Sequence, residues 1–114
     1  MAGFVRGDVV VVPFPFSDLT QAKRRPALVI ATLEGDDVIL SQITSKTVRD
    51  RYSISLEESD FERGSLKQPS NIRPNRIFTA DSHIILYSVG SIKTAKLAQV
   101  VDKTIAIIQG EKNQ

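Results

Sequence analysis

Residues 8–32 read DVVVVPFPFSDLTQAKRRPALVIAT. The stretch holds two apolar runs, 8–12 and 27–32, joined by a proline-rich and then cationic connection. An unbroken β-branched run such as VVVV suits a strand buried on both faces. Pro13 and Pro15 cannot donate to a ladder, so that end of the first strand is an edge or a departure from the sheet. The second run predicts a second strand. Between them Lys23, Arg24 and Arg25 stand side by side against Pro26, the densest positive charge in the chain, at the mouth of a buried strand.

Working outward, Glu34-Gly35-Asp36 is a turn signal. It leads to a third strand over 38–44 and a short fourth strand over 52–56. Residues 56–68 are polar, contain Gly64, and read as loop plus a helical turn. Residues 71–79 alternate around Pro74, which predicts a fifth strand, interrupted or on an edge. A sixth strand over 84–89 ends at Gly90. The period then changes. From 94 to 109, Leu97, Val101, Ile105 and Ile108 share one helical stripe, widened by Val100, Ala106 and Ile107, and Gly110 is a natural C-terminal stop. A helix this apolar needs cover on both sides, from the sheet and a second subunit, or else sinks half into a groove of its own barrel. The fold class is mainly β: a small, strongly bent antiparallel sheet or barrel with a C-terminal helix, as a single domain over 1–114.

The 114 residues suffice for one core without staples. There is no cysteine and only one histidine, His83. Disulfides, thiolate metal sites and a multi-histidine centre cannot be built from one chain. No apolar run approaches the roughly 20 residues that span a bilayer. The N-terminus lacks the apolar core of a signal peptide, which points to the cytoplasm and no membrane. The formal net charge is only +2, but ten of the fifteen cations fall in 23–25, 46–51 and 63–76. Such clusters suit an anionic partner, although loops also collect charge without one.

Residues paired across a hairpin have position numbers of constant sum. A two-residue turn at Glu34-Gly35 gives 69 and one at Gly35-Asp36 gives 71; Arg25 and Thr44 sum to 69. The first register sets Arg25 beside Thr44, flanked by Gln42, Ser45 and Lys46; a slip of one residue would turn a side chain over. A guanidinium holds two phosphate oxygens at once, and a threonine hydroxyl donates to a third. Arg73 adds a second fork. Taken singly, Arg25 is also an ordinary edge arginine able to pair with Asp18 or Glu34, and Thr44 an ordinary strand-end residue.

The block GDVVVVPFPFSDLTQAKRRPALVI (7–30) resembles the N-terminal part of the MazF/PemK toxins, endoribonucleases of bacterial type II toxin–antitoxin systems. SQITS (41–45), SLKQPSNIRPNRIFTAD (65–81) and the apolar C-terminal helix continue the resemblance over nearly the whole chain. It implies an SH3-like barrel that dimerises, binds a cognate antitoxin, and cuts single-stranded RNA at a short sequence. The family's catalytic arginine falls on Arg25, its catalytic hydroxyl on Thr44, and a fifth-strand arginine on Arg73. The RNA-contacting set implied by the resemblance and the site reading is Ser17, Lys23, Arg24, Gln42, Ser45, Lys46, Pro69, Ser70, Arg73 and Asn75. Residues 17–24 correspond to a loop over the RNA site. Asn75 departs from the family, some members of which have an aspartate there that helps activate the attacking hydroxyl; an asparagine cannot take a proton at neutral pH.

RNA carries its own nucleophile, the 2′-hydroxyl. The protein need only hold the backbone in line and stabilise charge on the phosphate. No metal or cofactor is then expected. Two other readings stay open: a gyrase-poisoning toxin of the same barrel, acting through its C-terminal helix, and an RNA-binding barrel without chemistry, favoured by Asn75.

Overall fold

The computed structural model describes residues 3–14 and 23–110. Among them seven strands run in the order β1 Asp8–Phe14, β2 Lys23–Thr32, β3 Asp37–Thr44, β4 Ile54–Leu56, β5 Phe61–Gly64, β6 Ser70–Asp81 and β7 Tyr87–Ile92, followed by helix α1, Thr94–Ile108. Short 3-10 turns at Glu58–Asp60 and Ser82–Ile84 lead into β5 and toward β7. The strand pairings are antiparallel, and the sheet order is β4-β6-β3-β2-β1-β7-β5. The sheet curls into a half-barrel with the helix at its C-terminal end, as the strand pattern predicts.

The run of valines in β1 follows from its central place. Side chains alternate between faces along a strand. Val9 joins one apolar cluster with Leu28, Ile43, Ile72 and Val100 of α1, whereas Val10 and Val12 join another with Val29, Leu40 and Ile85. Both faces of β1 are therefore core, and no position is left for a polar residue between Val9 and Val12. Leu28, Leu40 and Ile72 are fully buried; truncating any of them to alanine costs about 2–5 kcal/mol.

Pro13 sits inside β1 rather than at its end. It pairs with Arg24 of β2, while the β7 partnership stops at Val11↔Tyr87, so the missing N–H faces no strand. Likewise β2 starts at Lys23, four residues before the predicted start. The last β2–β3 pair is Ala27↔Gln42, but β2–β1 pairing runs on to Phe14↔Lys23. Residues 23–26 thus have a ladder on one side only, and the three cations ride on a half-open strand edge.

Pro74 is accommodated differently. Ser41 pairs with Ile77 and the next residue, Gln42, pairs with Arg73, so 74–76 form a three-residue bulge in β6. The odd number turns the strand over. Ile72 packs in the cluster under α1, whereas Phe78 and Ala80, an even number of residues away, pack on the opposite cluster.

Three expectations are corrected. Residues 61–64 form a strand, not loop: Phe61 is buried, and Gly64 lies against Gly90 of β7. A Cβ on Gly64 (φ 76°) would collide with the Val89 carbonyl oxygen, so only glycine permits this approach. Gly90 accordingly continues β7 instead of ending it. On α1 the buried face centres on Val100 and Thr104, with Leu97 packed beside them; Ile105 and Ile108 are 48% and 71% exposed. Thr104 satisfies its buried hydroxyl by donating to the Val100 carbonyl at 2.8 Å.

Candidate active site

The half-open edge of β2, the end of β3 and the β6 bulge meet at one cleft of about 210 Å³, lined by Arg25, Gln42, Ile43, Thr44, Lys46, Arg73 and Arg76. Continuing the Ala27↔Gln42 register places Arg25 across from Thr44. The sum of 69 holds at this end of the hairpin, though not for the reason read from the sequence. The connection is a four-residue loop closed by the Leu33 N–H to the Asp37 carbonyl at 2.9 Å, and Thr32↔Val38 sums to 70. A shift between Val29 and Ala31 returns the ladder to 69 before the cleft.

Each lining side chain has a backbone reason for its place. Thr44 ends β3 opposite Asn71, and its hydroxyl oxygen accepts the Lys46 N–H at 3.1 Å. That bond uses an acceptor lone pair and leaves the hydroxyl proton to be given elsewhere. The Asn71 amide donates to the Lys46 carbonyl at 3.2 Å, which ties the segment after β3 to β6. Arg73 is pinned at both ends. Its carbonyl accepts the buried Ser41 hydroxyl at 2.7 Å, and its guanidinium donates to Asp50 Oδ2 at 3.1 Å. The Arg73 Nε is buried without an acceptor among the described residues. Burial works against the charged form of Asp50, but the N–H groups of Tyr52 and Ser53 and the Arg73 guanidinium outweigh it and hold the carboxyl below its ordinary value.

Of the residues singled out from the sequence, the fold brings Arg25, Gln42, Thr44, Lys46 and Arg73 into this cleft. Lys23 and Arg24 are exposed on the same strand edge, and Ser45 and Asn75 are exposed next to lining residues along the chain. Pro69 lies in a separate hollow with Glu57, Glu58, Lys67 and Gln68. Ser70 is buried opposite Leu56, its hydroxyl donating to the Gln68 carbonyl at 3.2 Å. Ser17 lies outside the described residues.

Two participants were missed. Arg76 enters the cleft because the bulge re-aims it, which alternation counted through Pro74 does not show. Asp50 sits in a segment that reads only as a cation cluster. Its signal is local: an aspartate two and three residues before N–H groups it can accept, an Asx-type brace entering β4.

At the opposite end of β3 and β6, Asp36, Asp81 and His83 bring one potential metal-ligand atom each within 4.8 Å. All three are exposed, and none lines the cleft. No helix among the described residues is long and apolar enough to cross a membrane.

The fold and site define a small β protein: a curled antiparallel half-barrel with one C-terminal helix, carrying at a strand end a cleft whose described lining has four cations and one hydroxyl. Residues 5–108 match the family of PemK-like, MazF-like toxins of type II toxin–antitoxin systems, and the chain belongs to that family. Its fold is shared with solved structures at low identity. An endoribonuclease from a mycobacterial species in complex with its cognate antitoxin aligns over 98% of this chain and 100% of that one (TM-score 0.73, 14% identity). The Mycobacterium tuberculosis toxin MazF-mt6 aligns over 93% and 99% (0.68, 13%). A chain of the MazE-MazF crystal structure (Form-III) from Deinococcus radiodurans aligns over 94% and 96% (0.70, 17%). No curated protein matches the chain by sequence.

Proposed function

We propose that this toxin is an endoribonuclease that cleaves single-stranded RNA by attack of the substrate's own 2′-hydroxyl. The observation that carries the reading is the convergence of Arg25, Thr44 and Arg73 on one cleft whose described lining contains four cations and no acid. Two guanidinium forks and a hydroxyl with a proton to donate suit the two non-bridging oxygens and the departing 5′-oxygen of a phosphodiester in reaction. The 2′-oxygen adds to phosphorus, the P–O5′ bond breaks, and the chain ends in a 2′,3′-cyclic phosphate and a 5′-hydroxyl. The 2′-proton passes to water, and the departing 5′-oxygen, hydrogen-bonded by Arg25, takes a proton back from water. The catalysis is charge stabilisation and alignment, with no metal required. Membership of the family and the endoribonuclease described among its structural relatives support this reading.

The test is incubation of purified protein with a mixed RNA substrate in excess EDTA. Cleavage leaving cyclic or 3′-phosphate ends is expected. A substrate with a 2′-deoxy sugar just upstream of the scissile phosphate binds but stays intact; its cleavage at the normal rate would refute the mechanism. Binding of RNA without cleavage of any substrate would instead favour the non-catalytic barrel, a reading that the exposed Asn75 in the bulge keeps specific.

The cognate antitoxin, in this reading, lays an acidic segment over the cationic cleft and inhibits by competition. The toxin pairs as a homodimer in the cytoplasm. Exposed Ile105, Ile108, Leu86 and Val5 supply apolar surface of the kind small barrels display at interfaces. A monomer in sedimentation at micromolar protein would count against the dimer.

A further inference from the structure

Arg73 is braced within the cleft, and the brace comes from a residue outside the cleft lining. Asp50 Oδ1 accepts the N–H groups of Tyr52 and Ser53, each at 3.0 Å. Its other oxygen, Oδ2, receives the Arg73 guanidinium at 3.1 Å. The Arg73 and Asp50 side chains are 21% and 25% exposed, so the pair is neither fully wetted nor sealed. The turn anchors the carboxylate on the backbone entering β4, and β4 itself pairs with β6 at Ile54↔Ile72, one residue from Arg73. The carboxylate therefore hangs from the turn that enters β4, and the guanidinium from β6, the strand with which β4 pairs. On the other side, the Ser41 hydroxyl holds the Arg73 carbonyl at the start of the bulge.

An unbraced arginine spreads over many rotamers, and each lost torsion costs binding energy when a phosphate arrives. A carboxylate that neutralised Arg73 without orienting it would only weaken the cleft. Asp50 takes one terminal nitrogen from its own fixed position, and the other cations of the cleft, Arg25, Lys46 and Arg76, keep the lining positive. We propose that Asp50 is a positioning residue: anchored by the Tyr52 and Ser53 N–H groups, it sets the Arg73 guanidinium at the angle at which it meets a substrate phosphate. The proposal rests on the endoribonuclease reading for its substrate. Asp50's charge persists into acid, because the same donors hold its carboxyl below the ordinary range.

A double-mutant cycle tests it with wild type, Asp50→Asn, Arg73→Ala and the double variant. The amide side chain of Asp50→Asn would keep an acceptor for the two backbone donors and lose the charge, so the thermal midpoint should move by only a few degrees. In wild-type background the change should lower kcat/KM for RNA by about 100-fold, the scale of a misplaced catalytic contact. In the Arg73→Ala background it should cost nothing further. An equal loss in both backgrounds would show that Asp50 acts through general stability and would overturn the proposal. An arm without RNA separates the two readings. The Arg73 Nε–H resonance, assigned by its loss in Arg73→Ala, is followed while inorganic phosphate is titrated. Positioning predicts at least about fivefold weaker phosphate binding in Asp50→Asn, the lost orientation being repaid from binding energy; unchanged or tighter binding overturns it. Should wild type fail to cut RNA, the endoribonuclease reading falls and this second arm alone decides the role of Asp50.

Discussion

The two ends of the β3–β6 ribbon share one ladder and carry opposite charge. At one end Asp36, Asp37 and Asp81 gather near His83. At the other, Arg25, Lys46, Arg73 and Arg76 surround Thr44. The ends differ in how that charge is answered. Asp81 accepts both the His83 N–H at 2.8 Å and the His83 ring nitrogen at 2.7 Å, and these donors draw its carboxyl below its ordinary value, the backbone N–H leading. At the acidic end Asp81 and His83 answer each other within one turn, beside a second hollow of about 170 Å³ whose described lining includes Asp36 and Asp37 and no cation. The cleft end has Arg73 braced on Asp50, and a hollow whose described lining holds cations and no acid. Charge compensated within a few residues serves the fold, and charge gathered from three strands around open space serves a ligand.

The strongest way to break this contrast is to remove one charge from each end. Arg25→Ala is expected to lower RNA cleavage by about 10²–10³-fold, the scale of a lost transition-state donor. Its stability cost should be about 1 kcal/mol, the centre of the range for point substitutions, because the side chain is half-buried with its Nε shielded from solvent. Asp81→Asn should leave cleavage at the wild-type rate. Equal damage from both, measured on one RNA substrate, would erase the distinction. Arg25→Lys should also be poor, since a point charge cannot replace the fork.

A smaller effect is expected at Thr44. Removing the hydroxyl in Thr44→Ala should cost about tenfold in kcat, somewhat less than a positioned acid or base supplies. Thr44→Ser should be almost silent. If the serine variant is as poor as the alanine one, the methyl group rather than the hydroxyl matters and the site is misread.

Binding sharpens the contrast further. The log–log salt dependence of RNA affinity should flatten by about 0.7 for each cleft cation removed, in Lys46→Ala and Arg76→Ala. Asp36→Asn should leave the slope unchanged.

The smallest effect concerns pH. Asp50 and Asp81 are both held below the ordinary carboxylate value of 3.8. A carboxylate depressed in the folded state contributes stability that is present above its unfolded pKa and lost as pH falls through the folded one. Melting temperature should therefore drop on acidification below about pH 4. The drop should be shallower in Asp50→Asn and in Asp81→Asn. An unaltered acid limb in both variants would mean that neither carboxylate is linked to folding.

Much of this was legible in residues 8–32 and 38–44. Their aliphatic runs specify strands buried on both faces, and two such runs around one turn specify a hairpin. Arg25 and Thr44 come to one cleft through two departures that cancel: the loop is longer than two residues, and the shift after Val29 restores the ladder that leads to them. Residues 61–64 were illegible because FERG carries one apolar side chain, and the strand is set by the contact of Gly64 with Gly90. The helix misled for a related reason. Its apolar stripe is wider than the groove, and packing selects Val100 and Thr104 over the more hydrophobic Ile105 and Ile108. Arg76 depends on a bulge that no local pattern announces, and the local turn at Asp50 does not announce its pairing with Arg73, 23 residues along the chain.

The bulge at 74–76 also bears on which lengths of β6 remain workable. Residues on either side of it belong to opposite faces, with three residues unpaired between them. Removing one residue would leave two unpaired, and Ile72 and Phe78 would then stand five positions apart, which plain alternation already puts on opposite faces. Removing two would leave a one-residue bulge, and the turned strand would again carry the two side chains, now four apart, to opposite clusters. What each cluster receives is fixed by the pairs that β3 makes on either side of the bulge, so changes of length between Arg73 and Ile77 should be felt in the shape of the cleft and not in the interior.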